Sequence, residues 1–240
     1  MATDSVLDKR TPRVIEGWLL HKRPLRETSL QVFFFTQEHG LFEGSYRGGR
    51  APKKQSFLQA FTPLSLTVSV SSDRYYVGRV ETVLTPMLLQ GTALFAGLYL
   101  NELLFYALGP FDPVPVLFQA YVETIKKLQN AGTLQVIETL LRRFEWVLLS
   151  ACGQKMSFTK VAYADDLIQP NQTYHFMANA GFIPDAGGNF MGEDILALAN
   201  DDLSDLKYLK VAKLIARQAI DGLLGGRILQ TRQLFKASRS

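Results

Sequence analysis

The hydrophobic pattern of the chain changes once, near residue 84, and this change divides the sequence into two kinds of structure. Before it, five short runs rich in β-branched and aromatic residues alternate with turn signals, which is typical of strands. After it, Thr85 and Pro86 have the pattern of an N-cap and a first helical residue, and the apolar spacing becomes helical. The predicted strands cover residues 14–22, 30–36, 41–47, 64–71 and 75–83.

Five short strands within about eighty residues favour a small closed barrel, of which the OB-fold is the five-stranded form. An SH3-like barrel fits the same number of strands. We therefore predict an α+β multidomain chain, with an OB-fold β barrel at residues 14–84 and an all-helical domain at residues 85–240. Residues 1–13 have no apolar run and are predicted to be a flexible extension rather than a signal peptide.

Helical spacing recurs through the second part of the chain, with one interruption. Predicted helices cover residues 86–108, 113–130, 134–152, 193–199, 203–224 and 231–236. The irregular insert between them, residues 154–192, contains a predicted hairpin over residues 174–183. The apolar stretch at 88–108 is long enough to cross a bilayer, but it contains Gln90, Asn101 and Glu102, so we predict a buried helix and no membrane contact.

Basic residues are concentrated in the first third of the chain. Residues 1–80 hold 12 Lys and Arg against 7 Asp and Glu, whereas residues 81–240 hold 14 against 15. This asymmetry favours an anionic partner, usually nucleic acid, although a solvated basic surface would give the same numbers. The single cysteine, Cys152, excludes an internal disulfide and a multi-cysteine zinc site.

The segment from Tyr46 to Lys54 is the strongest candidate for binding an anion. It places four cations, a glycine pair and a proline between two predicted strands, a composition suited to neutralising phosphates. Nearby aromatic residues offer faces on which bases can stack; a solvated loop beside core aromatics is the alternative. The candidate DNA contacts are Arg47, Arg50, Lys53, Lys54, Tyr46, Lys22 and Arg23.

Two further groups of cations lie on predicted helices. Arg142 and Arg143 are about 100° apart on their helix, so both cannot face the core. One is expected to pair with a carboxylate such as Glu138 or Glu145, and the other could hold an external anion beside Phe144; a purely structural ion pair is equally compatible. A second stripe is most simply a solvated face, with a secondary DNA contact as the weaker interpretation: it comprises Lys207, Lys210, Lys213 and Arg217.

Catalytic motifs are not found in the sequence. The three histidines are scattered, and no nucleophile elbow or phosphate-cradling loop occurs. The acidic pairs Asp165-Asp166 and Asp201-Asp202 resemble metal-binding carboxylates of nucleases, but Asp is equally favoured at caps and turns, which we prefer here. We predict a non-enzymatic protein without cofactor or metal, and keep a protein-interaction adaptor as the alternative function.

Several short segments together resemble the bacterial RecO family of recombination mediators, in family order and over nearly the whole chain. They are Gly17-Trp18-Leu19-Leu20, Arg23-Pro24, Glu27-Thr28-Ser29, Phe61-Thr62-Pro63-Leu64, Leu98-Tyr99-Leu100-Asn101-Glu102-Leu103-Leu104, Leu141-Arg142-Arg143-Phe144-Glu145 and Thr231-Arg232-Gln233-Leu234-Phe235.

The resemblance implies a cytoplasmic, nucleoid-associated protein of DNA repair and recombination. It implies binding of single- and double-stranded DNA, annealing of complementary strands, and work with RecR, and in some bacteria RecF, to load RecA onto strands coated by single-stranded-DNA-binding protein. The cationic loop at residues 47–54 lies where the family binds DNA. Arg142, Arg143 and Phe144 fall where the family docks the acidic C-terminal tail of single-stranded-DNA-binding protein.

The insert departs from the pattern of many family members, which carry a four-cysteine zinc site there. Residues 154–192 contain no cysteine. We therefore expect a zinc-less insert in which Tyr163, Tyr174, Phe176 and Phe182 pack in place of a metal.

Overall fold

The computed structural model describes residues 11–72 and 74–237, with side chains to residue 235. Within these residues the chain forms two compact units, one of residues 11–130 together with 229–237 and one of residues 131–228. Residues 1–10 of the predicted extension lie outside the described residues. The predicted domain boundary near residue 84 falls inside the first unit, at the junction between its strands and helices.

The elements of both units follow in chain order. They are β1 (Arg13–Pro24), β2 (Leu30–Thr36), β3 (Gly40–Tyr46), α1 (Pro52–Gln55), β4 (Pro63–Ser71), β5 (Arg74–Thr82), α2 (Gly91–Ala107), α3 (Pro115–Gln129), α4 (Leu134–Ala151), β6 (Thr173–Met177), β7 (Gly181–Pro184), β8 (Phe190–Met191), α5 (Gly192–Ala199), α6 (Leu206–Leu223) and α7 (Thr231–Ala237).

The first five strands form a closed barrel in the order β1-β2-β3-β5-β4. All pairings are antiparallel except that of β3 with β5, where Ser45 lies opposite Tyr76 in a parallel register. Closure by this parallel pair, with α1 between β3 and β4, is the OB-fold arrangement. The fold class predicted from the five strands is therefore confirmed, and the SH3-like alternative is not.

Apolar side chains that alternate along the strands, with local irregularities in β1 and between β4 and β5, fill the barrel interior. Val32 and Phe34 from β2, Phe42 from β3, and Leu66 and Val68 from β4 are fully or almost fully buried inside it. Because side chains of a strand alternate between its faces, the residues between them lie on the outer surface of the barrel. Which parts of this outer surface can contact a ligand depends on which parts the helices cover.

Helices α2 and α3 cover the outer face of β1 and β2. Trp18 contacts Tyr121 edge to face with ring centroids 5.7 Å apart, and Phe35 contacts Phe118 in the same way at 5.3 Å. Phe33 lies 4.8 Å from Phe105 of α2. Burial of these aromatic side chains joins the helices to the barrel and leaves little of this face accessible to a ligand.

Helix α2 begins five residues later than predicted. The sequence pattern placed its first residue at Pro86, but the helix starts at Gly91, with Gln90 as an N-cap residue in extended conformation. The intervening segment is held to the barrel, because the Met87 amide donates to the carbonyl of Phe61 at 3.0 Å. A long-range hydrogen bond therefore replaces the helical one that the local pattern favoured.

In the second unit, α4 packs against α6, and the insert forms a small three-stranded sheet in the order β7-β6-β8. The predicted hairpin is confirmed, with Phe176 opposite Phe182. Three of the residues expected to pack there, Tyr174, Phe176 and Phe182, are buried. Tyr163 is a wrong prediction, because its side chain is 85% exposed at a turn where its φ is 62°.

Candidate nucleic-acid interface

The cationic loop between β3 and α1 is shaped by its two glycines. Gly48 has a φ of +64°, a conformation that favours glycine. A Cβ on Gly49 would lie 2.8 Å from the Tyr46 ring and 2.9 Å from its carbonyl oxygen, so only glycine fits there without displacement. Pro52 then starts the single turn of α1, which the sequence pattern did not predict.

Two of the four cations hold this loop in place. Arg50 donates from Nη1 to the carbonyl of Glu27 at 2.9 Å, and its amide donates to the carbonyl of Thr28 at 3.1 Å. Lys54 donates from Nζ to the carbonyl of Arg47 at 2.7 Å and lies over the Tyr46 ring. The loop is thereby fastened to the turn between β1 and β2, and these two side chains act mainly as positioning residues.

The other two cations are presented to solvent. Lys53 is exposed, and its side chain makes no ion pair or hydrogen bond with any described residue. Arg47 is exposed and lines a cleft of about 430 Å³ together with residues 26–29 of the β1–β2 turn. Arg26 therefore lines the same cleft as Arg47. Arg26 was not among the contacts predicted from the sequence, although it is exposed and cationic.

Two of the predicted contacts are corrected by burial. Tyr46 is only 3% exposed and belongs to the barrel core, so its ring cannot offer a face to a base. Lys22 is half-buried and donates to the carbonyl of Leu58 at 3.1 Å, and burial lowers the pKa of this lysine. Arg23 is exposed; it lies over the Phe33 ring and donates to the Gln31 side chain at 2.7 Å.

In the second unit, the arginine pair is divided between core and surface. Arg142 is 6% exposed and pairs with buried Glu145 at 2.6 Å, which is one of the two carboxylates proposed from the sequence. Phe144 is buried as well. Both are therefore withdrawn from the set of surface contacts, because neither is accessible to a partner.

Arg143 is exposed and lines an open pocket of about 370 Å³ between α4 and the segment before α6. Apolar side chains of Val136, Leu140 and Leu203 form part of its wall. The guanidinium is occupied by Asp201, with Nη2 2.8 Å from Oδ2. The pocket therefore combines apolar surface with a cation, and an incoming carboxylate can compete with Asp201 for Nε and Nη2 or bind the Nη1 group that Asp201 does not use.

The basic stripe on α6 is partly neutralised. Lys207 contacts Asp194 at 2.6 Å and Glu193 at 2.8 Å, and these two carboxylates raise the pKa of Lys207. Lys213 contacts Glu138 at 2.6 Å. Only Lys210 and Arg217 of the stripe are exposed without an ion pair among the described residues.

The acidic pairs serve local structure. Asp165 contacts Lys160 at 2.8 Å, and Asp202 accepts from the hydroxyl of Ser204 at 2.7 Å. No cluster of three or more His, Cys, Asp or Glu side chains able to hold a metal occurs among the described residues. None of the helices in that part of the chain is long and apolar enough to cross a membrane.

A closed OB-type barrel with a cationic loop and cleft, followed by helices, defines an OB-fold protein with a candidate surface for a polyanion. Two family models match the chain: Recombination protein O N terminal over residues 14–85, and Recombination protein O C terminal over residues 88–186. The chain belongs to the recombination protein O family, as the resemblance predicted.

Curated relatives extend this similarity over most of the chain. DNA repair protein RecO of Legionella pneumophila (strain Corby) is 46% identical over 94% of this chain and 98% of the relative. DNA repair protein RecO of Actinobacillus pleuropneumoniae serotype 7 (strain AP76) is 37% identical over 92% of this chain and 93% of the relative. That of Glaesserella parasuis serovar 5 (strain SH0165) is 36% identical over 92% and 94%.

Proposed function

We propose that this protein is a non-catalytic mediator of DNA repair and recombination that binds single- and double-stranded DNA and anneals complementary strands. Membership of the recombination protein O family supports the repair role, and the naming of its relatives as DNA repair proteins agrees with it. The observation that carries DNA binding is the cleft lined by Arg26 and Arg47, together with the exposed Lys53 of the same cationic loop. Cations presented in this way neutralise phosphates and release counterions.

The first experiment measures binding of a labelled oligonucleotide as a function of salt. Replacing Arg47 and Lys53 by Gln should weaken binding and lower the slope of log affinity against log salt by about 1.4, since each single-strand phosphate contact contributes about 0.7. A matched control is Lys126→Gln with Lys127→Gln, which removes two exposed charges from α3. An unchanged slope in the Arg47 and Lys53 variant would remove the loop from the interface.

Mediator activity is the finer part of the proposal. With RecR, and with RecF where it takes part, the protein would load RecA onto strands coated by single-stranded-DNA-binding protein. We propose that the acidic C-terminal tail of that protein binds the Arg143 pocket, since a carboxylate can replace Asp201 on the guanidinium while apolar side chains contact Val136 and Leu140.

The second experiment follows annealing of complementary strands precoated with single-stranded-DNA-binding protein, either intact or lacking its acidic tail. Annealing should be fast only with the intact tail, and Arg143→Ala should slow it to the tailless rate. Arg217→Ala is the control, because this residue is exposed on the same unit but lies outside the pocket. Equal annealing with and without the tail would refute the docking assignment while leaving DNA binding intact.

A further inference from the structure

Tyr76 occupies the outer surface of β5, on a part of the barrel that α2 and α3 do not line. Its neighbours Tyr75 and Val77 face inward, Tyr75 against Phe42 and Phe111 and Val77 within the core. Alternation along the strand therefore directs Tyr76 outward, where its side chain is half-buried. An outward aromatic ring on a strand is a surface on which a planar ligand can stack.

The strand neighbours of Tyr76 have small side chains. It lies opposite Ser45 on β3 and opposite Ser69 on β4. Two positions further along β5 is Gly78, which has no side chain and lies beside Thr67. Because these neighbours are small, the positions directly beside the ring on β3 and β4 carry no bulky side chain.

Arg47 completes the arrangement. Its guanidinium carbon lies 4.7 Å from the centre of the Tyr76 ring. The backbone at Arg47 is held by the hydrogen bond from Lys54 to its carbonyl, and the same arginine lines the cationic cleft. A guanidinium lying over an aromatic ring adds a planar cationic group to the aromatic surface, which suits an aromatic ligand that is attached to phosphate.

We propose that the Arg47–Tyr76 pair is a stacking site for an unpaired base of single-stranded DNA, on the outer face of β3, β5 and β4. OB-folds commonly bind oligonucleotides on the face of strands 2 and 3, but here α2 and α3 cover the outer face of β2 with aromatic contacts. The strand would enter through the Arg26–Arg47 cleft and place one base against the pair. The inference rests on the proposed DNA binding and adds a preference for strands with accessible bases.

The test compares two strands of equal length and charge, one of oligothymidine and one built of abasic tetrahydrofuran sites. Both offer the same phosphates, and only the first offers base faces. The wild-type protein should bind oligothymidine more tightly. Tyr76→Leu should weaken oligothymidine binding roughly 5- to 150-fold, the range expected for one stacked base, and leave abasic binding unchanged.

Three further variants separate stacking from loss of fold or charge. Tyr76→Phe keeps the ring and should retain the preference for bases. Arg47→Lys keeps the charge at an exposed site but removes the guanidinium plane, so it should reduce the preference while largely retaining abasic binding. Tyr163→Leu removes an exposed tyrosine of the other unit and should change neither.

The two proposals fail in distinguishable ways. If the wild-type protein binds neither strand at low salt, the proposed DNA binding itself is wrong. If it binds both strands equally, or if Arg47→Lys and Tyr76→Leu leave the difference between the strands unchanged, DNA binding stands and the stacking site is refuted. A preference for bases that Tyr76→Leu removes and Arg47→Lys reduces, with abasic affinity retained, supports the site.

Discussion

Asn101 is a buried polar residue that joins α2 both to the barrel and to α3. Its Nδ2 donates to the carbonyl of Leu19 at 3.3 Å, and its Oδ1 accepts from the hydroxyl of Tyr121 at 2.8 Å. Burial raises the pKa of Tyr121, so this hydroxyl stays protonated and donating. A buried polar group left without a partner costs more than a hydrogen bond gains, so this small network fixes how the helices lie on the barrel.

We expect Asn101→Ala to lower the free energy of unfolding by about 2–4 kcal/mol and Tyr121→Phe to lower it by about 1–2 kcal/mol. The double variant should lose about 1 kcal/mol less free energy of unfolding than the sum of the two single losses. The reason is that the second change removes a group that the first change has already left unpaired. Urea unfolding of the four proteins measures the cycle. Exposed Gln119→Ala on α3 is the control, and strictly additive costs would contradict a direct interaction.

His39, in the turn between β2 and β3, makes stability depend on pH. Its Nδ1 is buried without a partner among the described residues, and burial lowers its pKa below 6.5 in the folded protein, against a smaller opposing effect of Glu38. Below pH 6.5, His39 therefore binds a proton more readily in the unfolded chain than in the folded protein. The free energy of unfolding consequently decreases as the pH falls toward the pKa of His39 in the folded protein.

The stabilisation of the wild-type protein relative to His39→Gln should accordingly shrink between about pH 7 and pH 5. Urea unfolding at several pH values measures it. The exposed His175→Gln on β6 is the matched control. A difference that is constant over this range would show that His39 does not contribute.

At the scale of residues, the sequence predicted which loop is cationic but not what each cation does. Arg47, Arg50, Lys53 and Lys54 are equivalent in composition, yet Arg50 and Lys54 hold the loop while Arg47 and Lys53 face solvent. The acceptor of Arg50 is a backbone carbonyl 23 positions earlier, and no side-chain pattern reports such a partner. Burial of Tyr46 follows from its place on β3, which alternation alone could have indicated.

Helix α7 is only seven residues long and depends on a carboxylate from another element. Glu102 of α2 accepts from the amides of Gln230 at 2.8 Å and Thr231 at 2.9 Å. The Glu102 carboxylate thus caps the N-terminus of α7, where it accepts hydrogen bonds from amides that have no partner within the helix. Phe235 then packs against Phe95 and Tyr99, so the returning segment belongs to the first unit.

Glu102→Ala should release this segment. Hydrogen bonds to a charged group contribute about 1.5–3 kcal/mol, and α7 is too short to persist without tertiary support. Hydrogen exchange should show faster exchange for amides of residues 229–237 and little change in the barrel strands. Glu123→Ala, an exposed glutamate on α3, should leave that exchange unchanged; equal protection in both variants would contradict the capping role.

The sequence predicted elements well where their signals are local. The barrel strands, the hairpin of the insert and helix α4 follow from the period of the apolar residues. The predicted start of α2 at Pro86 was wrong, because the Met87 amide donates to the carbonyl of Phe61 and this segment is not helical. In the insert the sequence identified the aromatic packing but included Tyr163, whereas Phe158 and Phe190 contact Phe182.

Across the whole molecule, charge is divided between the two units. Residues 131–228 contain nine Lys and Arg against eleven Asp and Glu, whereas the remainder of the chain contains seventeen against eleven. The acidic residues of the second unit include those that neutralise the α6 stripe. The charge distribution therefore favours binding of a polyanion to the unit that contains the barrel.

This division predicts that the α6 stripe does not contribute to DNA affinity, although the sequence pattern permitted a secondary contact. Lys210→Gln with Arg217→Gln removes its two exposed unpaired cations and should leave oligonucleotide affinity within about twofold and its salt slope unchanged. The same change of charge at Arg47 and Lys53 should lower both the oligonucleotide affinity and the salt slope. Since the two double variants alter net charge equally, a long-range effect of charge alone would affect them alike. A slope lowered by the α6 variant would instead place phosphate contacts on both units and require a DNA path that reaches the second.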